Sequence, residues 1–322
     1  MINETINGTT VIDVDSQNNP KKSWHQWFIG RPLQTADAHK QTIGKAIGLA
    51  VFASDALSST AYATQEIMII LAAVAGGALN YVFPISIVIV LLMAIVTISY
   101  EQTIHAYPGG GGAYIVSRDN IGELAAQAAG AALLTDYILT VAVSISSGVA
   151  QIVSAFPNLI NFRVYIAVAL VLFIMLINLR GVKESGIFFA IPTYFFLIGM
   201  GATVIIGLVK FLNGSLGVVN NPPESAISLA IGVVTPFLLL HAFSSGTSAL
   251  TGIEAISNGI TAFKEPRRKN AGKTLVWMSV ILAFLFLSIS FLTGKIHAVP
   301  SETETVISQL IRTVYMNQGI LY

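Results

Sequence analysis

Seven long apolar segments constrain the fold of this chain more than any other feature of its sequence. A membrane-spanning helix needs roughly 20 mostly apolar residues, and each segment approaches or exceeds that length. The chain is 54% hydrophobic and only 10% charged, whereas a soluble domain carries about 25% charged residues. We therefore predict an all-α integral membrane protein. The predicted spans lie at about 43–76, 82–105, 121–150, 163–179, 187–212, 227–259 and 274–294.

Charge, cysteine content and the N-terminus exclude several classes of function. The formal net charge is +1, which argues against a nucleic-acid partner. The absence of cysteine excludes disulfides and thiolate metal sites. Residues 1–24 are polar and lack the apolar core of a signal peptide, so residues 1–42 are predicted to form a cytoplasmic tail. The sequence pairs no nucleophile with a base and supplies no metal-ligand set, so neither an enzyme nor a cofactor is predicted.

The distribution of Lys and Arg predicts the orientation, because cytoplasmic loops of membrane proteins carry an excess of these residues. With the N-terminus inside, thirteen of the 17 fall on the cytoplasmic side. The cytoplasmic set is Lys21, Lys22, Arg31, Lys40, Lys45, Arg118, Arg180, Lys183, Lys264, Arg267, Arg268, Lys269 and Lys273. The external set is Arg163, Lys210, Lys295 and Arg312. The run "KEPRRKNAGK" at 264–273 is interpreted as an orientation signal rather than a nucleic-acid or lipid site. The predicted location is the cell membrane.

The first span carries an unusual polar segment, "FASDALSSTAY" at 52–62. A charged Asp at the centre of a bilayer costs about 2.5–3.5 kcal/mol, so Asp55 needs a cation, a proton or water beside it. One interpretation is that the span is interrupted and Asp55 caps the helix that restarts, because Asp is a favoured N-cap residue. The other is that Asp55 binds a cation in a water-lined cavity. The residues alone leave both interpretations open.

The sixth span contains a second polar segment, "HAFSSGTSALTGIEAISN" at 241–258. Two glycines, Gly246 and Gly252, stand among hydroxyl residues and precede Glu254. Two broken helices five spans apart indicate an inverted repeat of five helices, in which discontinuous helices present free backbone groups to the substrate. Irregular backbone in the middle of a membrane is tolerated where it lines a cavity.

The third span carries a polar stripe, Asp136, Thr140 and Ser144, in the sequence "LLTDYILTVAVSISSG". Spacings of four residues place these side chains on one helical face, which is predicted to point into the protein. Thr and Ser can instead bond the carbonyl one turn back. Asp55 and Tyr62 also share a face if the first helix is continuous, although ordinary packing explains Tyr62 equally well.

Two motifs near the predicted cytoplasmic end are interpreted as structural. The glycine-rich segment "YPGGGGAYIVSRDNIG" at 107–122 lacks the Gly-Lys-Ser/Thr of a phosphate-binding loop, so it predicts no nucleotide site. Glu101 and His105 stand one turn apart and are predicted to form a local pair.

Three motifs together resemble the amino acid–polyamine–organocation (APC) superfamily of secondary transporters. The segment at 107–122 resembles its Pro-x-x-Gly-Gly-x-Tyr loop before the third helix, and "NLRGVKESG" at 178–186 resembles the loop between helices four and five. "SALTGIEAISN" at 248–258 resembles its broken sixth helix. The resemblance covers residues 43 to 294 and implies the LeuT/APC-type fold, with an inverted repeat and broken helices 1 and 6.

The sequence of the first span indicates which branch of the superfamily the chain resembles. Amino-acid members of the superfamily carry a Gly-Ser-Gly type break there, whereas this chain has "ASDALSSTAYATQE". With "TDYILTVAVSIS" and "AFSSGTSALTGIEAISN", that segment resembles the KimA-type potassium–proton symporters of the KUP family. The resemblance implies a transporter that imports potassium coupled to protons. The residues that it implies for the potassium and proton path are Asp55, Tyr62, Asp136, Thr140, Ser144, Thr251 and Glu254.

Ion chemistry favours the same substrate. An amino acid presents a carboxylate, which Asp55 would repel, whereas a dehydrated potassium ion takes oxygen ligands. Coupling would follow if an acidic side chain released its proton as the ion arrived. The alternatives are an amino-acid permease of the same superfamily and a non-transporting membrane fragment.

The sequence departs from the resembled family in length. Family members have twelve membrane helices and, in the KimA type, a cytoplasmic domain that binds cyclic di-AMP. The expectation is a truncated fold: a first repeat and helices six and seven over residues 43–294, then an extracytoplasmic segment over 295–322. The predicted partners are potassium ions, protons and the lipid bilayer, with a homodimer among the assemblies considered and no nucleic acid.

Overall fold

The computed structural model describes residues 5–6, 9–10, 42–72, 74, 78–179, 182–223 and 233–316. Near the N-terminus, β1 (Thr5–Ile6) pairs antiparallel with β2 (Thr9–Thr10). The helices are α1 (Lys45–Ala72), α2 (Val82–Ala106), α3 (Gly112–Asn120), α4 (Glu123–Ala155), α5 (Arg163–Asn178), α6 (Val182–Leu212), α7 (Pro236–Gly246), α8 (Ala255–Asn258), α9 (Arg267–Lys295) and α10 (Val306–Tyr315). Short 3-10 helices lie at Ala78–Tyr81, Pro157–Phe162, Thr247–Leu250 and Ile260–Ala262.

Among the described residues, 6 helical segments are long and apolar enough to cross a membrane. They contain α1, α2, α4, α5, α6 and α9 and match six of the predicted spans, so the prediction of an all-α membrane protein is confirmed. The sixth predicted span is divided between α7 and α8. Its first part, together with nearly all of the tail predicted over residues 1–42, lies outside the described residues.

The predicted break in the first span is wrong, because α1 runs without interruption through Asp55. Two features of the sequence explain the continuity. No Gly or Pro lies between Leu49 and Ala72, and the hydroxyl groups bond locally. For example, Ser58 Oγ donates to the Asp55 carbonyl at 2.6 Å, and Thr60 Oγ1 donates to the Leu57 carbonyl at 2.7 Å. Such bonds leave the helix intact while making it polar. Asp55 therefore does not cap a restarting half-helix.

The predicted break in the sixth span is confirmed. The Thr235 side chain caps α7 by accepting from the Leu238 amide at 3.2 Å, and α7 ends at Gly246. A 3-10 turn follows, after which Thr251 is extended with φ −59° and ψ 135°. Gly252 then takes φ +86°, a left-handed conformation that glycine adopts without a steric penalty. Helical structure resumes only at Ala255, so the span is unwound at its middle.

The buried core is formed mainly by α1, α2 and α9. In the most apolar part of each span, 50% of the residues of α1 and 56% of those of α9 are buried. The span Pro157–Asn178, which includes α5, has 0% of such residues buried. Hydroxyl groups join the three helices: Ser290 Oγ lies 2.9 Å from Thr64 Oγ1 and 2.9 Å from Ser86 Oγ. Small polar residues let helices approach closely and bond across the interface in a membrane. This packing holds α1 in place beside the unwound segment.

Candidate cation site

The carboxylate of Asp55 lies against the unwound segment of the sixth span. A Cβ atom built on Gly252 would stand 2.8 Å from Asp55 Oδ2 and 3.0 Å from the Ala56 amide nitrogen. The backbone of this segment therefore approaches α1 at van der Waals distance, with no side chain between them. Ser59 Oγ adds a hydrogen bond of 3.3 Å to the Ala249 carbonyl. Helix α1 and the break are thus in direct contact around Asp55.

Three predicted carboxylates, those of Asp55, Asp136 and Glu254, are close enough to interact electrostatically. None of them forms an ion pair with a Lys or Arg in the described part of the chain. They do not share one ligand shell, however, because the described residues contain no group of three His, Cys, Asp or Glu placed to hold a metal ion. A cation beside Asp55 would therefore draw its remaining ligands from hydroxyl and backbone oxygens.

Glu254 lies in the turn that restarts the sixth span and is buried, with 9% of its surface exposed. Its Oε1 atom has no hydrogen-bond partner within the described structure. A buried carboxylate oxygen without a partner is costly unless it is protonated or meets water or an ion.

Hydroxyl groups connect α1 to α4 beside Asp55. Ser58 Oγ and Ser144 Oγ are 3.0 Å apart. Tyr62 is buried, two turns along α1 from Asp55, as a continuous helix requires. Three of the predicted residues (Asp55, Tyr62 and Ser144) are therefore brought to one face of α1.

The predicted inward orientation of the polar stripe on α4 is only partly correct. Thr140 is buried and Ser144 is half-buried, but Asp136 is exposed. The described neighbours of α4 cover the part of the helix around Thr140 and leave the turn around Asp136 open. Thr251 lies next to Gly252, and its hydroxyl donates to the Ser248 carbonyl at 2.8 Å, so that hydroxyl is used locally.

Unpartnered buried polar atoms are concentrated in residues 248–258, on both sides of the break in the sixth span. Among the described residues, the buried side-chain atoms that lack a hydrogen-bond partner are Ser248 Oγ, Glu254 Oε1, Ser257 Oγ, Asn258 Oδ1 and Arg267 Nε. All but the arginine atom belong to residues 248–258. Buried polar groups in proteins are normally paired, and those that are not are satisfied by water or ions. This part of the sixth span therefore offers several buried polar atoms that can bind water or an ion.

The glycine-rich segment docks onto the end of the sixth span, which the sequence did not predict. The Gly111 amide donates to the Asn258 carbonyl at 3.4 Å, and Asn258 Nδ2 donates to the Tyr137 hydroxyl at 2.5 Å. Gly110, Gly111 and Gly112 all have positive φ. The run of four glycines was the available signal, because such a run allows close backbone approach. Gly252 and Ser58 were also missed as contacts of the site.

The predicted pairing of Glu101 with His105 is confirmed. His105 Nδ1 lies 3.3 Å from Glu101 Oε1 and 3.0 Å from the Glu101 carbonyl oxygen. This pair stands at the end of α2, one turn from the glycine-rich segment, and takes no part in the cation site.

Comparison with known proteins identifies the family of this chain. The family model described as amino acid permease matches residues 42–314, which include every helix from α1 to α9. The chain belongs to the amino acid permease family. It is also 46% identical, over 299 residues, to a curated protein named potassium transporter KimA from Bacillus subtilis (strain 168). The aligned region covers 92% of this chain and 49% of that relative, so the chain spans about half of the relative's length.

Proposed function

We propose that this chain supplies the cation site of a potassium–proton symporter. Its membership of a permease family and its helices establish a multi-pass membrane protein of transporter type. The observation that carries the ion assignment is the contact between the Asp55 carboxylate and the unwound backbone at Gly252. The similar protein from Bacillus subtilis is named a potassium transporter, and this name supports the choice of ion.

The chemistry of the site fits a monovalent cation. One carboxylate balances one positive charge, and the surrounding Ser, Thr and backbone oxygens can replace the water shell of a potassium ion. An amino acid would bring its own carboxylate next to Asp55, where two negative charges repel each other. Zwitterion transport is therefore the second candidate, favoured only by the description of the family model.

Proton coupling is the finer part of the proposal. Asp55, Asp136 and Glu254 interact without ion-pair partners in the described structure, so adding a cation changes the balance of charge felt by all three. Release of a proton from one of these carboxylates when the cation enters would couple proton transport to cation transport. We place the protein in the cell membrane with its N-terminus in the cytoplasm, on the distribution of Lys and Arg.

The proposal is tested with Asp55→Asn, which keeps the size of the side chain and removes its charge. A unit charge about 4 Å from a cation contributes roughly 4 kcal/mol at an effective dielectric constant of about 20, so we expect rubidium binding to weaken by about 1,000-fold. Binding of radioactive rubidium, a potassium tracer, is measured on the purified full chain. Uptake is measured in cells that lack potassium transporters, with and without an inward proton gradient.

The control is Asp119→Asn, which removes a carboxylate that is exposed and paired with Arg118. It should leave rubidium binding unchanged. If Asp55→Asn binds rubidium as the unmodified chain does, the ion site is not at Asp55. Competition by a zwitterionic amino acid instead of potassium would favour the permease alternative.

A further inference from the structure

A pocket of about 380 Å³ lies between the end of α2 and the start of α9, away from the candidate cation site. Its lining includes Lys269, Lys273 and Trp277 from α9, together with Glu101 and His105 from α2. The three α9 residues follow one another at intervals of four, so they share one face of the helix. The pocket therefore combines two ammonium groups with an indole ring.

The two lysines are available to an anion. Both are exposed, and neither forms an ion pair with any residue in the described ranges. Glu101 brings one negative charge to the pocket, but its Oε1 lies 3.3 Å from His105 Nδ1 rather than beside a lysine. Arg267, the first residue of α9, already forms an ion pair, because its Nε atom lies 3.2 Å from Glu265 Oε1 although not in hydrogen-bond geometry. The pocket thus carries more positive charge than its own residues balance.

The position of the pocket points to a lipid headgroup. No charged residue follows Lys273 in α9 until Lys295, and most of the residues between them are apolar, so Lys273 stands where the helix enters the hydrocarbon. Trp277 is 64% exposed and lies one turn deeper, at the depth where Trp is enriched in membrane proteins. Val280 and Phe284 then continue the same exposed region as an apolar surface. The two lysines at the top of this face suit a phosphate group, and the exposed apolar residues below them suit acyl chains.

We propose that this pocket binds the headgroup of an anionic phospholipid, with Lys269 and Lys273 on the phosphate and Trp277 at the glycerol level. Basic pockets between membrane helices bind such headgroups through the same combination of charge and shape. A soluble phosphate would use the lysines but leave the apolar face below them unused. The basic run at 264–273 is therefore more than an orientation signal. This inference does not depend on the transported ion.

The test is native mass spectrometry of the full chain in detergent, with phosphatidylglycerol or with phosphatidylcholine of the same acyl chains. The unmodified chain should retain phosphatidylglycerol preferentially. Each lysine near an anionic lipid contributes about 5-fold in affinity, so Lys269→Gln with Lys273→Gln should weaken phosphatidylglycerol binding by roughly 30-fold. Both side chains are exposed, and thermal unfolding checks that the variant stays folded.

The matched control is Lys264→Gln with Arg268→Gln, which removes the same charge from exposed residues outside the pocket. It should keep most of the preference for phosphatidylglycerol. Equal loss in the two double variants would overturn the site, because net charge alone would then explain binding. Complete displacement by soluble glycerol phosphate would overturn the assignment to a lipid.

Discussion

At the scale of single residues, Gly252 decides how closely the sixth span approaches Asp55. Its φ of +86° and the 2.8 Å distance from its built Cβ to Asp55 Oδ2 leave no room for a side chain. Any other residue would be strained in this left-handed backbone conformation, and its Cβ atom would push the Asp55 carboxylate away from the unwound segment. The position of Asp55 is therefore set by a neighbour that has no side chain.

We predict that Gly252→Ala weakens rubidium binding and lowers stability by about 1–2 kcal/mol from left-handed strain alone. Rubidium binding and thermal unfolding of the purified chain measure the two effects. Gly199→Ala is the control, since its built Cβ meets nothing within 4 Å in the middle of α6. That change should be neutral or stabilising, because Gly is unfavourable in a helix by about 0.5–1 kcal/mol relative to Ala. Unchanged binding in Gly252→Ala would mean that Asp55 tolerates displacement.

At the level of helices and loops, the glycine-rich segment at 107–122 packs α2 and α3 against the end of the sixth span. A Cβ built on Gly112 would stand only 1.8 Å from Asn258 Oδ1, and the φ of Gly112 is +44°. Asn258 also reaches α4 through the Tyr137 hydroxyl. Displacing Asn258 would therefore disturb three elements at once.

We predict that Gly112→Ala destabilises the chain by about 1–3 kcal/mol, the range expected for overpacking a closely packed site. Thermal unfolding in detergent is the measurement. Gly109→Ala, in the same glycine run, is the matched control, since its built Cβ meets nothing within 4 Å. Equal unfolding temperatures for the two variants would show that the segment does not hold Asn258.

The two polar spans show how local chemistry can and cannot be predicted. Both "FASDALSSTAY" and "HAFSSGTSALTGIEAISN" are rich in small and hydroxyl residues, and a break was predicted in each. Only the second breaks, because it has Gly252 at a left-handed position, whereas α1 has no Gly or Pro after Gly48. Hydroxyl residues make a helix polar, but glycine is what permits the unwinding.

At the scale of the whole molecule, the orientation across the membrane can be tested with introduced cysteines, because the chain has none of its own. The exposed residues Asp119, Asn213 and Glu302 serve as single labelling positions. With the N-terminus inside, a membrane-impermeant maleimide should label Asn213→Cys and Glu302→Cys in intact cells. Asp119→Cys should react only after the cells are opened. The reverse pattern would invert the predicted topology.

The membrane class, six of the spans and the break in the sixth could all be predicted from the amino-acid sequence, because hydrophobic length and glycine placement act locally. The same local spacing predicted that Asp55 and Tyr62 share a face of the first helix, and that Asp136, Thr140 and Ser144 share a face of the third. The contact of Asp55 with Gly252, the exposure of Asp136 and the packing of the glycine-rich segment against Asn258 emerged only from the folded structure. Those outcomes depend on contacts between helices more than a hundred residues apart, and such contacts are set by packing rather than by local sequence.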